Sequence, residues 1–133
     1  MDPRQMKVKD LMQTKVKKVT KGTSLAAAAK VMHDNGLSCL MVEPEDNRDT
    51  FGIITRKDIV QALIEECVGG PCHVVGDVMT KPVISVNTEL SIYHCLKIMR
   101  MVGVRRLPVL EGSRLVGILS NTDIFTNLVK HLG

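Results

Sequence analysis

This chain is written twice. VKDLM at residues 8–12 returns as VGDVM at 75–79, placing Val8 and Val75 a spacing of 67 apart. The same spacing carries Val16 onto Val83, Val19 onto Val86, Ser24 onto Ser91, Met32 onto Met99, Gly36 onto Gly103 and Val42 onto Val109. Near the end of each half, GIITRKDIV at 52–60 answers GILSNTDIF at 117–125, and the spacing has fallen to 65. The first half therefore carries two extra residues, which fall in EPEDNRDTF at 43–51 against LEGSRLV at 110–116. Polar turns are where such insertions are tolerated. A repeat that spans the chain means one supersecondary unit used twice, and the fold has to honour it.

Each copy reads as the same series of elements. Ser24 precedes Leu25, Ala28, Ala29 and Met32, and Ser91 precedes Ile92, Cys95, Leu96 and Met99. These are i, i+3, i+4, i+7 stripes behind an N-capping hydroxyl, the pattern of an amphipathic helix. Gly36 and Gly103 stand where a left-handed residue closes such helices. LSCLMV and FGIIT in the first half, and VRRLPVL and LVGILS in the second, are apolar runs joined by polar turns, the signature of hairpins. A second helix follows from Asp58 and from Asp123, and KVKKV and KPVISV supply a short leading strand. One copy is thus strand–helix–strand–strand–helix. A unit of about sixty residues buries only ~60% of its unfolded surface, so two copies packed face to face are expected to complete one core. The expectation is an α/β (α+β) fold of two βαββα repeats with pseudo-twofold symmetry in one compact module. The first repeat spans 1–68, a Gly- and Pro-bearing linker 69–73, and the second repeat 74–133.

Composition removes several function classes. Aromatic residues are 2% of the chain and Trp is absent, so the stacking platforms of single-strand nucleic-acid binders are missing. No apolar run approaches ~20 residues, and MDPRQMKVKD has no apolar signal core, which favours the cytoplasm and reduced thiols. Cys39, Cys67, Cys72 and Cys95 form no CxxC pair, and Cys67, Cys72 and His73 fit no standard zinc spacing. No metal is expected. His33, His73, His94 and His131 are scattered, no nucleophile–base pair emerges, and no enzyme is expected. The net charge of +4 is uneven. Arg4, Lys7, Lys9, Lys15, Lys17, Lys18, Lys21 and Lys30 face only Asp2 and Asp10 in the first thirty residues. Either this segment meets an anion, or lysines blunt an edge strand; the second reading is favoured over the first.

The repeated phrase carries the chemistry. Thr55 and Asp58, like Ser120 and Asp123, fit an acidic capping box at a helix start. That alone explains them structurally, because a carboxylate in the first turn is favoured by the helix dipole. The same start is also an anion site, since free N–H groups and the positive dipole end point outward. A hydroxyl residue suits a phosphate oxygen, and a carboxylate one turn on accepts from the two vicinal hydroxyls of a ribose. Gly52 and Gly117 beside it read as close backbone approach or as a strand bulge.

With VKDLM and VGDVM, the capped helices, RRLPV at 105–109 and the two G-h-h-[ST]-x-x-D-h phrases in order, the chain resembles a tandem pair of CBS domains (the cystathionine β-synthase domain), a Bateman module, over roughly residues 8–132. That resemblance implies a βαββα repeat, frequent homodimers, and regulatory binding of AMP, ADP, ATP, S-adenosylmethionine or NAD(H). It implies that Thr55 with Asp58, and Ser120 with Asp123, take the phosphate and ribose. The adenine would lie near Lys15 and Val16 in one half and Val83 and Ile84 in the other. Arg105 and Arg106 stand where the family places a basic residue facing the cleft between repeats, and an Arg there engages phosphate bidentately. The first half has Ser38–Val42 instead, without Arg or Pro, so the two sites should be unequal; Arg56 and Lys57 partly compensate. The expected function is a regulatory module binding an adenine nucleotide of the AMP/ADP/ATP class in that cleft. With no catalytic domain in this sequence, it would act in trans on an unknown protein. The alternatives are a ligand-free dimerisation module, or binding of S-adenosylmethionine, NAD(H) or nucleic acid, the last being disfavoured.

Overall fold

The computed structural model describes residues 3–65, 74–81 and 83–132. The chain packs into two compact units, one of Lys17–Val83 and one of Met1–Val16 with Ile84–Gly133. The expected boundaries at 68 and 74 follow the repeat in sequence, and the packed units divide the chain elsewhere. The reason is local to each unit. The opening segment of each repeat is hydrogen-bonded to the body of the other one.

In the unit of Lys17–Val83, β1 (Lys18–Val19) leads to α2 (Leu25–Asn35), β2 (Cys39–Val42), β3 (Gly52–Thr55), α3 (Arg56–Glu65) and the short α4 (Val75–Val78), while α1 (Val8–Leu11) belongs to the other unit. The sheet order is β1-β2-β3, with β1 parallel and β3 antiparallel to β2. Ser24 caps α2 by accepting from the Ala27 N–H (3.1 Å), and Gly36 closes it in the left-handed region at φ 63°. Leu25, Ala28 and Met32 are buried, so the stripe faces inward as its spacing requires. They meet Leu40, Val42, Ile54, Ile59, Ala62 and, from the other repeat's opening, Val75. The Val75 N–H donates to Thr23 O (2.8 Å) and the Gly76 N–H to Lys21 O (2.9 Å). Thr80 and Ile53 then exchange two backbone bonds (2.8 and 3.0 Å).

The second unit repeats this arrangement at equivalent positions. Its elements are α1 (Val8–Leu11), α5 (Ile92–Val102), β4 (Arg106–Glu111), β5 (Arg114–Ser120) and α6 (Asn121–Leu132). Ser91 caps α5 from the His94 N–H (3.3 Å) and Gly103 closes it at φ 78°. Val8, Ile92, Cys95, Met99, Leu107, Val109, Leu119 and Ile124 are buried together. The Val8 N–H donates to Leu90 O (2.9 Å), the Lys9 N–H to Thr88 O (3.0 Å), and Gln13 and Ile118 exchange bonds of 2.8 and 3.0 Å.

Among the described residues, the buried hydrophobics other than Met41 form two clusters, one per unit, where a single core was expected from the repeat. The leading strands are also slighter than their sequence suggests. β1 has two residues, and its counterpart is the isolated parallel bridge between Val86 and Val109. β1 is an edge, and Lys18 on it is exposed, in keeping with lysine as an edge blunter. Lys7, Lys9 and Lys21 of the opening thirty are ion-paired. Lys7 and Lys9 hold Glu89 at 2.6 and 2.8 Å, and together they draw its carboxyl down to about 2. Lys21 holds Asp49 at 2.8 Å and Lys81 contacts it too, which keeps this carboxyl well below its usual range and fixes the inserted loop. No helix among the described residues is long and apolar enough to cross a membrane.

Candidate functional site

Both copies of the repeated phrase fold into a strand that runs directly into a helix. β3 ends at Thr55 and α3 begins at Arg56; β5 ends at Ser120 and α6 begins at Asn121. The helices thus start two residues earlier than their apolar pattern indicates, because the hydroxyl residue is the cap and the Asp is its third helical residue. In the first copy the reciprocal bonds of a capping box are present. The Thr55 N–H donates to Asp58 Oδ2 (2.9 Å) and the Asp58 N–H donates to Thr55 Oγ1 (3.2 Å). In the second, the Ser120 N–H donates to Asp123 Oδ2 (3.2 Å) and the Asp123 N–H to Ser120 Oγ (3.0 Å). The Ser120 hydroxyl also donates to Asp123 Oδ2 at 2.7 Å. All four residues are half-buried, fixed in place yet open to a ligand.

The backbone of each helix start is tied to the preceding hairpin strand. The Arg56 N–H donates to Ser38 O (2.9 Å) and the Asn121 N–H to Arg105 O (2.9 Å). Across the sheet, Arg106 is the register partner of Ser120, and Cys39 is that of Thr55. Directly opposed residues leave a sheet on the same face. Arg106, half-buried, therefore stands beside Ser120, whereas Arg105 lies exposed just before the strand. The equivalent place beside Thr55 holds the thiol of Cys39. Arg56 and Lys57, exposed on the first turn of α3, are the basic residues of that copy.

The remaining expected residues are divided between the units. Val83, half-buried, belongs with Thr55 and Asp58; Val16, half-buried, and Ile84, 45% exposed, belong with Ser120 and Asp123. The structure thus brings Val16 of the first repeat into the unit that carries the second repeat's motif, and Val83 of the second into the unit that carries the first's. Lys15 is exposed. Cys67, Cys72 and His73 lie outside the described residues, among which there is no group of three or more metal-ligating side chains. Cys95 is buried, and that burial pushes its thiol up to about 11.

Three features were not visible in the sequence. First, the segment that approaches Gly52 and Gly117 closely is the other repeat's opening. A Cβ on Gly117 would stand 2.8 Å from Gln13 O and from Met12 Sδ, and one on Gly52 2.8 Å from Met79 Sδ and 3.2 Å from Thr80 O. A register shift between Val109 and Leu110 puts a bulge near Gly117 as well, so both readings of that glycine apply. Second, the Gln13 side-chain amide donates to Asp123 Oδ1 (3.1 Å). Third, the Ser91 hydroxyl lies 2.6 Å from His94 Nδ1, a contact made within one helix cap.

A pair of half-buried carboxylates, each fixed at the start of a helix in a repeated βαββα framework, defines a class of paired small domains. The chain belongs to the CBS domain family, whose pattern matches it twice, over residues 8–65 and 75–130. An uncharacterised 17.7 kDa protein of Acidianus ambivalens is 36% identical over 119 residues, 89% of this chain and 70% of that one. Hypoxic response protein 1 of Mycobacterium tuberculosis is 30% identical over 123 residues, 92% of this chain and 85% of that one. A crystal structure of Hypoxic Response Protein I with two coordinated zinc ions superposes with a TM-score of 0.73 at 29% identity, covering 92% and 98%. The CBS domain pair of protein MJ0100, solved with 5′-methylthioadenosine and S-adenosyl-L-methionine, superposes with a TM-score of 0.80 at 25% identity, covering 92% and 99%.

Proposed function

We propose that this chain is a regulatory module that senses an adenosine-containing ligand and acts in trans on a partner protein, without catalysing a reaction. The observation that carries the reading is the twice-built helix start with its half-buried carboxylate. A ribose presents two vicinal hydroxyl donors, and a carboxylate held in place accepts both. The helix dipole and the Thr55 or Ser120 hydroxyl suit a phosphate. Arg106 adds a guanidinium in the second copy, with Arg105 near it, and Lys57 an ammonium in the first. Val16, Val83 and Ile84 supply apolar surface for a purine. These groups favour AMP, ADP or ATP as the regulatory ligand, with no required cofactor.

A second reading rests on Cys39. Where Cys39 replaces the guanidinium, the Thr55–Asp58 copy suits an adenosine ligand without phosphate, such as the thioether and sulfonium nucleosides held by the MJ0100 pair. Homodimerisation is supported by the exposed apolar positions Val60 and Ile64 on α3, which recur as Phe125 and Val129 on α6. Light scattering coupled to gel filtration tests it, and a mass near 14.7 kDa would exclude it.

The deciding experiment is a thermal-shift panel of AMP, ADP, ATP, S-adenosylmethionine and NAD. A ligand at ~100 times its Kd adds about 2.7 kcal/mol of apparent stability, roughly 10 °C for a chain of this size. The Asp58→Ala, Asp123→Ala double variant is expected to lose the shift. No shift with any of the five overturns the ligand-sensing reading.

A further inference from the structure

The two carboxylates are not equally ready for a diol. A carboxylate offers about four acceptor positions. Asp58 uses one, on Oδ2, for the Thr55 N–H, and its Oδ1 has no partner among the described residues. Asp123 uses three, because Oδ2 accepts both the N–H and the O–H of Ser120 and Oδ1 accepts the Gln13 amide. A vicinal diol brings two donors. Asp58 receives both as it stands, while Asp123 has room for one until Gln13 withdraws. The hydroxyls follow the same division. Thr55 Oγ1 accepts from Asp58 and keeps its own proton for a ligand, whereas the Ser120 proton is donated to Asp123. Two differences between the repeats produce this: the Ser120 hydroxyl turns onto its Asp, and Gln13 stands where the other unit has Thr80. Gln13 and Thr80 are equivalent, each pairing its backbone with the hairpin strand, at Ile118 and Ile53. Only the longer glutamine bonds the carboxylate among the described residues.

We propose that the Thr55–Asp58 site fills first and that Gln13 gates the Ser120–Asp123 site, which takes a ribose only after the Gln13–Asp123 bond opens. The inference rests on the ribose reading above, and it reverses the order suggested by the missing arginine of the first repeat. A ligand that fills the second site must compete with an internal donor, so this site responds at a higher concentration than the first. One ligand then gives two response thresholds in one chain.

Isothermal titration of the full chain with AMP tests this. Two binding events of unequal affinity are expected. Asp58→Asn removes the tighter and Asp123→Asn the weaker. Gln13→Ala tightens the weaker event by about tenfold, the low end of what one hydrogen bond to a charged group is worth. The Gln13 side chain is exposed and its bonds to Ile118 are made by the backbone, so this variant keeps the fold even if a cap variant does not. Loss of the tighter event in Asp123→Asn, or a weaker event unmoved by Gln13→Ala, overturns the gate while leaving the ribose reading intact. If the wild-type chain binds none of the five adenosine ligands, both fall together.

Discussion

Alanine at Gly117 should cost more than alanine at Gly52, although the two glycines occupy the same place in the repeat. At Gly117 the new Cβ falls 2.8 Å from a backbone oxygen, Gln13 O, and 2.8 Å from Met12 Sδ. Real Cβ atoms do not approach this closely, so something must move. Met12 can swing its flexible side chain. Gln13 O cannot move without loosening both bonds that Gln13 and Ile118 exchange (2.8 and 3.0 Å). Two such bonds at about 1 kcal/mol each, within the 1–3 kcal/mol typical of overpacking, put Gly117→Ala at about 2–3 kcal/mol. At Gly52 the 2.8 Å contact is with Met79 Sδ, the movable end of a side chain, and the backbone oxygen of Thr80 is 3.2 Å away. A shift of a few tenths of an ångström relieves it, and the cost is about 1 kcal/mol. At roughly 3–4 °C per kcal/mol for this length, thermal unfolding followed by circular dichroism should give a Tm drop of about 7–11 °C for Gly117→Ala and about 3–4 °C for Gly52→Ala. Equal drops, or a larger one at Gly52, would refute the claim that the glycine of the repeated phrase exists to admit the other repeat's opening segment.

Leu107→Ala and Leu40→Ala empty equivalent fully buried positions in the two clusters, and each should lower stability in urea titration by about 2–5 kcal/mol. The Glu89 carboxyl lies at about 2 in the folded chain because Lys7 and Lys9 hold it. Its contribution is complete above the unfolded value of about 4.3 and is lost as pH falls toward 2; Glu89→Gln should flatten that part of a stability–pH profile. Cys95 is buried and Cys39 half-buried, so mass mapping after timed alkylation at pH 8 should find Cys39 labelled well before Cys95.

The parts of this fold legible in the sequence are those written in short-range pattern. Ser24 and Ser91 cap their helices, Gly36 and Gly103 close them, and the apolar stripes between face inward, all set within eleven or twelve residues. The capping boxes at Thr55–Asp58 and Ser120–Asp123 are local in the same sense. What escaped has long sequence separation. Val8 bonds Leu90, and Gln13 reaches Asp123; no periodicity marks such pairings, because they are fixed by how segments pack. The repeat hid the exchange of opening segments, since a swapped and an unswapped pair have the same sequence pattern. KVKKV carries strand-forming valines, but its lysines and edge position leave only Lys18–Val19 paired. The site suffered from the same limit. Its carboxylates and hydroxyls could be named from the motif, while Gln13, which separates the two copies, lies in the other repeat and bears no motif.

The central claim is that the carboxylates of the repeated phrase receive a ribose diol. The most direct measurement compares titrations of the wild-type chain with AMP and with 2′,3′-dideoxyadenosine monophosphate, which has the same base and phosphate but no diol. Two hydrogen bonds to a charged acceptor, at about 1.5 kcal/mol or more each, predict that the dideoxy ligand binds at least ~100-fold more weakly. Equal affinity for the two would contradict the account, because binding would then owe nothing to Asp58 and Asp123.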